Sequence, residues 1–402
     1  MPATLTTVQA ITKEIYGPKI VETLDDEVVL SKRIEKTSRG VSSEVGAKYV
    51  TFPLRVRRNH GIGYRNESEQ LQAAGQQGYV SVRVPLRYGY GRVHVTGQTM
   101  DLVDENYNAF ADALTREMEG LTDDLVKDVN RIMYGNGRGV LATLTSTPAG
   151  VNNFTVASTQ YLELGQVIDI FDLVGNDVED AGAGGGGVTI TNIVGLTVTV
   201  SEVVTADGAG RVVVRHGNGD REPQGLASIV SNTAGLFQNL DGSVEPKWNS
   251  TVNANGGVGR PLSEGLMITL CDDIRRSGGG KPTAVFTDLG SRRAYFNLLS
   301  QQRRYNDPKK YDGGLVGLAF HYGAREIPVV EENDAPHGIM WFLNEGRFTI
   351  YRDKPWHWAD RDGSIWKWVA NFDAFEALTK QYWEFGVDQR NSHGKLADIT
   401  SG

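Results

Sequence analysis

The sequence predicts a mixed α+β fold, and three observations carry that prediction. Strict apolar alternation recurs in short runs, several longer segments carry apolar residues at spacings of three and four, and glycine is frequent while proline is scarce, 48 residues against 13. A chain of 402 residues suggests roughly two or three domains with a sizeable core. The net charge of -8 leaves no overall basic surplus for a dedicated nucleic-acid binder. With 40% apolar residues and 22% charged, and no apolar run near the length of about 18 that spans a bilayer, the chain reads as a folded protein in water, with no membrane partner. Met1–Tyr16 lacks the basic start and apolar stretch of a secretory signal, so cytoplasmic synthesis is expected. The single cysteine, Cys271, excludes an internal disulfide and leaves too few thiols for a zinc finger.

Taken in order, the first element is an arm. Thr6–Ser38 combines a short helical pattern around Val8, Ile11 and Ile15 with a charged stretch through Asp25, Asp26, Glu27, Lys32 and Arg33, too little to build a core. A long hairpin follows. Val50, Phe52, Leu54 and Val56 alternate on one strand and Val80, Val82, Val84, Leu86, Tyr88 and Tyr90 on the other, around a polar, glycine-rich tip from Asn59 to Gly78. Two strands cannot bury an apolar face against themselves, so the hairpin is expected to lie on something else, with another subunit the nearest candidate.

From Asn108 to Tyr134, the residues Phe110, Leu114, Met118, Leu121, Leu125, Val129 and Ile132 form one stripe on a helix of roughly 40 Å. Gly135 and Gly137 end it. The run Gly135–Gly139 is glycine-rich in the manner of a dinucleotide fingerprint, but that motif opens a helix and this run closes one, so it reads as a C-cap and turn. Composition then shifts. Leu141–Asp220 holds two basic residues, Arg211 and Arg215, against nine acidic ones, a net -7 of the chain's -8, in short alternating runs that suggest a small, solvated, inserted β-barrel.

Beyond it, Leu266, Met267, Leu270, Cys271 and Ile274 make a second helical stripe, started by Ser263 and stopped at Gly278–Gly280, with Cys271 as a buried hydrophobe. A strand at Thr283–Phe286 leads to a third helix capped by Asp288, with Tyr295, Leu298 and Leu299 inward, which together make an α/β layer. Residues 341–402 hold six of the seven tryptophans. Trp356 with Trp358, and Trp366 with Trp368, are expected to pair across a turn at Asp362-Gly363, forming a sheet core or subunit interface in preference to a glycan site.

Chemistry is mostly missing. No two of the seven histidines have the i, i+4 spacing of a helical metal site. Lys281 after three glycines is followed by Pro282 and reads as a turn, and Glu331, Glu332 and Asp334 read as a solvated loop. No catalytic residue, metal site or cofactor is expected, and the protein is not expected to be an enzyme. The informative charges are divided between two elements. The hairpin segment Lys48–Arg92 carries +6, from Arg55, Arg57, Arg58, Arg65, Arg83 and Arg87 with Lys48 and Arg92, and the long-helix segment Asp104–Arg131 carries -5, with Glu117, Glu119, Asp123, Asp124 and Asp128 among its acids. Opposed charge on two long surfaces would set register between copies, or pair within one chain.

This order of elements resembles the major capsid proteins of tailed bacteriophages. The resemblance is carried by Val50-Thr51-Phe52-Pro53-Leu54, Arg58-Asn59-His60-Gly61-Ile62-Gly63, Ala74-Gly75-Gln76-Gln77-Gly78-Tyr79, Tyr90-Gly91-Arg92 with Thr96-Gly97-Gln98, and Asp128-Val129-Asn130-Arg131, then by Ile327-Pro328-Val329-Val330 and Asn333-Asp334-Ala335-Pro336-His337-Gly338. It implies the shell-forming fold shared with encapsulins and the herpesvirus capsid floor: an N-terminal arm (1–46), an extended hairpin loop (47–92), a peripheral domain (93–140 and 339–402) with a spine helix (108–134), an inserted β-barrel (141–220) and an axial domain (221–338). It further implies hexamers and pentamers in an icosahedral shell around packaged double-stranded DNA, bound without sequence specificity. A separate scaffolding protein, a portal and a decoration protein are the partners it implies, with assembly in the host cytoplasm and residence in the virion capsid. Lys48, the only lysine between Ala47 and Arg92, sits at the hairpin root, so the covalent loop cross-link of some relatives is not expected. An encapsulin-like cargo compartment and a glycan-binding virion surface protein are the alternatives.

Overall fold

The computed structural model describes residues 29–38, 49–98, 107–146, 149–175, 177–180, 182, 184–205, 210–233, 235–302, 318–360 and 363–400. The arm pattern around Val8, Ile11 and Ile15, Lys48, Asp104, Glu105 and Asp362 lie outside these residues. The chain divides into two compact units, Gly135–Ser228 and the rest.

In the larger unit one six-stranded sheet is built on the strand Ala374–Val387. Arg87–Thr96 runs antiparallel along one side of it, from Thr96 opposite Ala374 to Arg87 opposite Trp383. Trp366–Trp368, His357–Trp358 and Phe348–Arg352 follow one another along the other side, and Glu35–Thr37 adds parallel to the last. The expected indole pairing across a hairpin therefore does not form: both tryptophan segments bind the same long strand end to end and do not face each other. The long helix, Tyr107–Tyr134, packs on this sheet through Met118, Leu121, Leu125 and Val129 against Val93, Trp356, Trp358 and Trp366. Gly91 permits the approach, since a Cβ there would lie 2.8 Å from Thr379 and 3.4 Å from Leu121. The turn after the helix uses Gly137 and Gly139, both at positive φ.

The second strand of the expected hairpin is in fact two strands. Gly78–Pro85 pairs with Tyr49–Arg57, and Arg87–Thr96, with Tyr88 and Tyr90, belongs to the sheet just described. Pro85 has no N–H to continue a ladder, so the change of partner falls there.

A second six-stranded sheet runs in the order Thr251–Asn253, Gly394–Leu396, Met340–Leu343, Ala284–Thr287, Arg325–Glu331, Leu318–Tyr322. Met340–Leu343 and Gly394–Leu396, which sequence reading grouped with the rest of 339–402, pair here and not with Ala374–Val387. Helix Glu264–Arg276 starts where the Ser263 hydroxyl accepts the Leu266 N–H, and it buries Met267, Leu270, Cys271 and Ile274 against Val285, Phe342 and Leu396. Helix Leu289–Gln302 is capped by Asp288, whose carboxylate accepts the N–H groups of Gly290 and Ser291.

The smaller unit closes on itself. Val140–Thr143, Arg211–Arg215, Val167–Asp172, Val188–Val194, Thr197–Thr205 and Ala149–Thr155 pair in that order. A bridge between Leu144 and Val156 returns the last to the first, with the Thr145 N–H donating to Thr155 O and the Ala157 N–H to Thr143 O, each at 2.9 Å. Alternate residues fill the inside, among them Phe154, Ile168, Ile170, Ile190, Val198 and Val200. Its acids are not all free surface charge. Arg211 binds Glu179 and Asp172, Arg138 binds Asp220, and buried Asp169 accepts the Gly217 N–H at 2.9 Å and lies 2.8 Å from His216 Nδ1.

Candidate assembly surface

The hairpin has two halves. At its root Val50, Val82 and Val84 are buried on the chain's own body, and Phe52 stacks on Tyr351 with ring centroids 6.4 Å apart. The Arg83 N–H donates to Gln238 O at 3.0 Å, Asn239 Nδ2 donates to Ser81 O at 3.4 Å, and Arg57 Nε donates to Glu245 at 3.0 Å. The apolar face was expected to wait for another subunit, and for the root half that is corrected. The residues holding it, Gln238, Asn239 and Glu245, escaped sequence reading because polar loop residues some 160 to 190 positions away along the chain carry no periodic signal.

At the tip the two arms touch through glycines. A Cβ on Gly61 would lie 2.5 Å from Gly75 N, and one on Gly75 would lie 2.4 Å from Gly61 N. The Asn59 side chain staples them, accepting the Gly61 N–H at 2.7 Å and donating to Gly75 O at 3.0 Å. Glu69 accepts from the Asn66 side chain and backbone, which holds its carboxyl below the ordinary value. Beyond the staple Ile62, Tyr64 and Leu71 are 79%, 97% and 84% exposed. Three large apolar side chains in water on one narrow projection mark a contact surface.

The arginines divide into paired and unpaired without following the two halves. Arg57 pairs with Glu245, Arg87 lies 4.0 Å from Glu384, and Arg92 lies 3.5 Å from Glu376. Arg55, Arg58, Arg65 and Arg83 have no carboxylate partner among the described residues. On the long helix Asp124 is exposed, Glu119 is half-buried, and Asp128 binds Arg131 at 3.0 Å, while the side chains of Glu117 and Asp123 are not among those described. No hairpin arginine pairs with this helix inside the chain among the described residues.

Trp356, Trp358 and Trp366 are buried under the helix, and only Trp368 is exposed, edge-on to Phe375 at 5.0 Å. Their faces serve the core and are closed to a sugar. The acidic run is a second correction. Glu332 is buried beside Asn130 at the end of the long helix, with Asp334 also on Asn130. Burial pushes the Glu332 carboxyl up to about 7, against the Asn130 hydrogen bond and with the Asp334 charge adding to the rise. Burial also pushes the Cys271 thiol up to about 12, which suits a packed side chain and not a nucleophile.

No family model matches the sequence, and no curated protein matches it. Solved structures do. The capsid asymmetric unit of cyanophage A-1(L) superposes with a TM-score of 0.53 at 13% identity, over 92% of this chain and 91% of that one. A chain of Mycobacterium phage Bobi gives 0.45 at 9% identity over the whole of both chains, and an encapsulin from Synechococcus elongatus PCC 7942 gives 0.42 at 8% over 92% and 87%. With the first of these matched across nearly its full length, the chain has the fold of that phage capsid chain.

Proposed function

We propose that this chain is the major capsid protein of a tailed phage, assembling into hexamers and pentamers that close an icosahedral shell around double-stranded DNA. The observation that carries the reading is the hairpin tip: in a chain with the capsid fold, Ile62, Tyr64 and Leu71 project into water with nothing among the described residues to cover them. A neighbouring copy supplies that cover, and Arg55, Arg58, Arg65 and Arg83, which have no carboxylate partner among the described residues, meet acids of the long helix such as Glu119 and Asp124 across the contact. Many symmetric contacts of this kind close a shell although each is weak. The division into arm, hairpin loop, peripheral, inserted and axial domains belongs to the same reading, as do a separate scaffolding protein, a portal, a decoration protein and assembly in the host cytoplasm. Among the described residues no helix is long and apolar enough to cross a membrane. The protein acts by structure, without catalysis or cofactor.

Electron microscopy of the expressed chain, with and without the triple substitution Ile62→Ser, Tyr64→Ser and Leu71→Ser, tests this. Closed shells from the parent, none from the variant, and an unchanged melting temperature are expected. Shells from the variant sink the tip's role, and a parent that stays monomeric at every salt concentration sinks the shell. Purified particles holding protein cargo instead of nucleic acid would indicate the encapsulin-like compartment.

A further inference from the structure

A groove of about 930 Å³ runs along the root half of the hairpin. Seven successive residues, Phe52 to Arg58, line it, and none comes from the paired strand Gly78–Pro85. Successive residues of a strand point to opposite faces, so a wall made of all of them is the strand's edge. That edge is free: beyond the ladder to Gly78–Pro85, Val50–Arg57 forms no backbone hydrogen bond among the described residues. An unpaired edge offers its outward C=O and N–H groups to an added strand, here all but the N–H at Pro53, which has none.

The side chains around it select the strand's charge. Six arginines and lysines line the groove against two acids, Glu245 and Asp388, which are already held by Arg57 and Arg347. Arg55, Arg58 and Lys247 have no carboxylate partner among the described residues.

We infer that this groove binds an extended acidic peptide from a partner polypeptide, added as a strand to the free edge at Phe52–Arg57. Its carboxylates would meet Arg55, Arg58 and Lys247. The hairpin tip of a second copy fits less well, since Arg65 offsets one of Glu67 and Glu69. A polynucleotide has the charge but cannot continue a β-ladder. The inference holds whether or not shells form.

Fluorescence anisotropy on the full chain before assembly tests it, with a labelled ten-residue peptide of alternating glutamate and valine as the probe. Binding is expected, weakened at least about tenfold in Arg55→Glu with Arg58→Glu, and as much by N-methylating alternate backbone nitrogens of the peptide. Circular dichroism checks that the variant is folded. No binding overturns the inference. Equal binding of the lysine–valine peptide, of oligothymidylate or of the N-methylated peptide overturns it as well, and so does probe binding that vanishes as protein concentration rises, which would assign the groove to a second copy.

Discussion

The barrel and the hairpin are built from the same kind of strand, alternating apolar and polar residues, and they reach opposite ends. In the barrel the last strand returns to the first through the Leu144–Val156 bridge, so both the backbone edges and the apolar interior are satisfied locally. In the hairpin, among the described residues, one strand keeps a free edge, the root half is covered by loops distant in sequence, and the tip half is left in water. Closure, not composition, decides whether such strands need a partner. A second difference goes with it. The strongly perturbed groups lie in the open unit, where distant segments meet: Glu332 near 7, buried Arg390 lowered to about 10 and His393 lowered to about 3. In each case burial is the leading cause.

The largest expected effect breaks the closed region alone. Ile170→Asp puts an unpaired charge inside the barrel, at a position with no exposure, and should cost about 3 kcal/mol or more. Hydrogen exchange should then lose protection in Val167–Asp172 and Arg211–Arg215 while Met340–Leu343 keeps it. Ile62→Asp, the same change at the exposed tip, should leave every protected amide as it was. Loss of protection throughout the chain after Ile170→Asp would mean that the barrel does not hold itself together.

Much of this contrast was legible in the sequence. Alternation located the strands of both regions, and the stripe from Met118 to Val129 located the helix face that meets the sheet. Ser263 and Asp288 marked helix starts that the structure repeats. What could not be read was pairing. Pro85 hides a change of partner inside one continuous alternation, and Trp358 and Trp366, close in sequence, each bind Ala374–Val387 instead of each other. The acids at 331–334 looked like a solvated turn because the cover over Glu332 comes from Asn130, some 200 positions earlier. Period reports which face of a strand is apolar, and it carries nothing about which distant segment will cover that face.

The second effect tests the electrostatic side of the comparison. The Glu332 carboxyl is raised in the folded chain, so its contribution is full below its unfolded value of 4.5 and is lost as pH climbs to about 7. The change should amount to about 3 kcal/mol between pH 4.5 and 8, at 1.36 kcal/mol per pH unit. Glu332→Gln keeps an oxygen for Asn130 and removes the proton, so its stability should lack this fall and exceed that of the parent at pH 8. Urea titrations at the two pH values measure it. Parallel curves for parent and variant would mean that Glu332 titrates as an ordinary surface acid.

The smallest effect separates one arginine of the closed barrel from one of the open sheet built on Ala374–Val387. In the barrel Arg211 is about four-fifths buried and its guanidinium grips both oxygens of Glu179, so Arg211→Ala should cost about 1.5–3 kcal/mol, the usual worth of hydrogen bonds to a charged group. Arg92 reaches Glu376 at 3.5 Å from a side chain that is two-thirds exposed, and water and salt screen that pair. Arg92→Ala should shift stability by under about 0.5 kcal/mol, and the remainder should vanish at about 1 M salt, where the screening length falls to about 3 Å. Thermal melts at low and high salt measure both variants. Equal losses would mean that closing the barrel adds nothing to its ion pairs. A larger loss for Arg92 would mean that the open sheet, and not the closed one, depends on its charges.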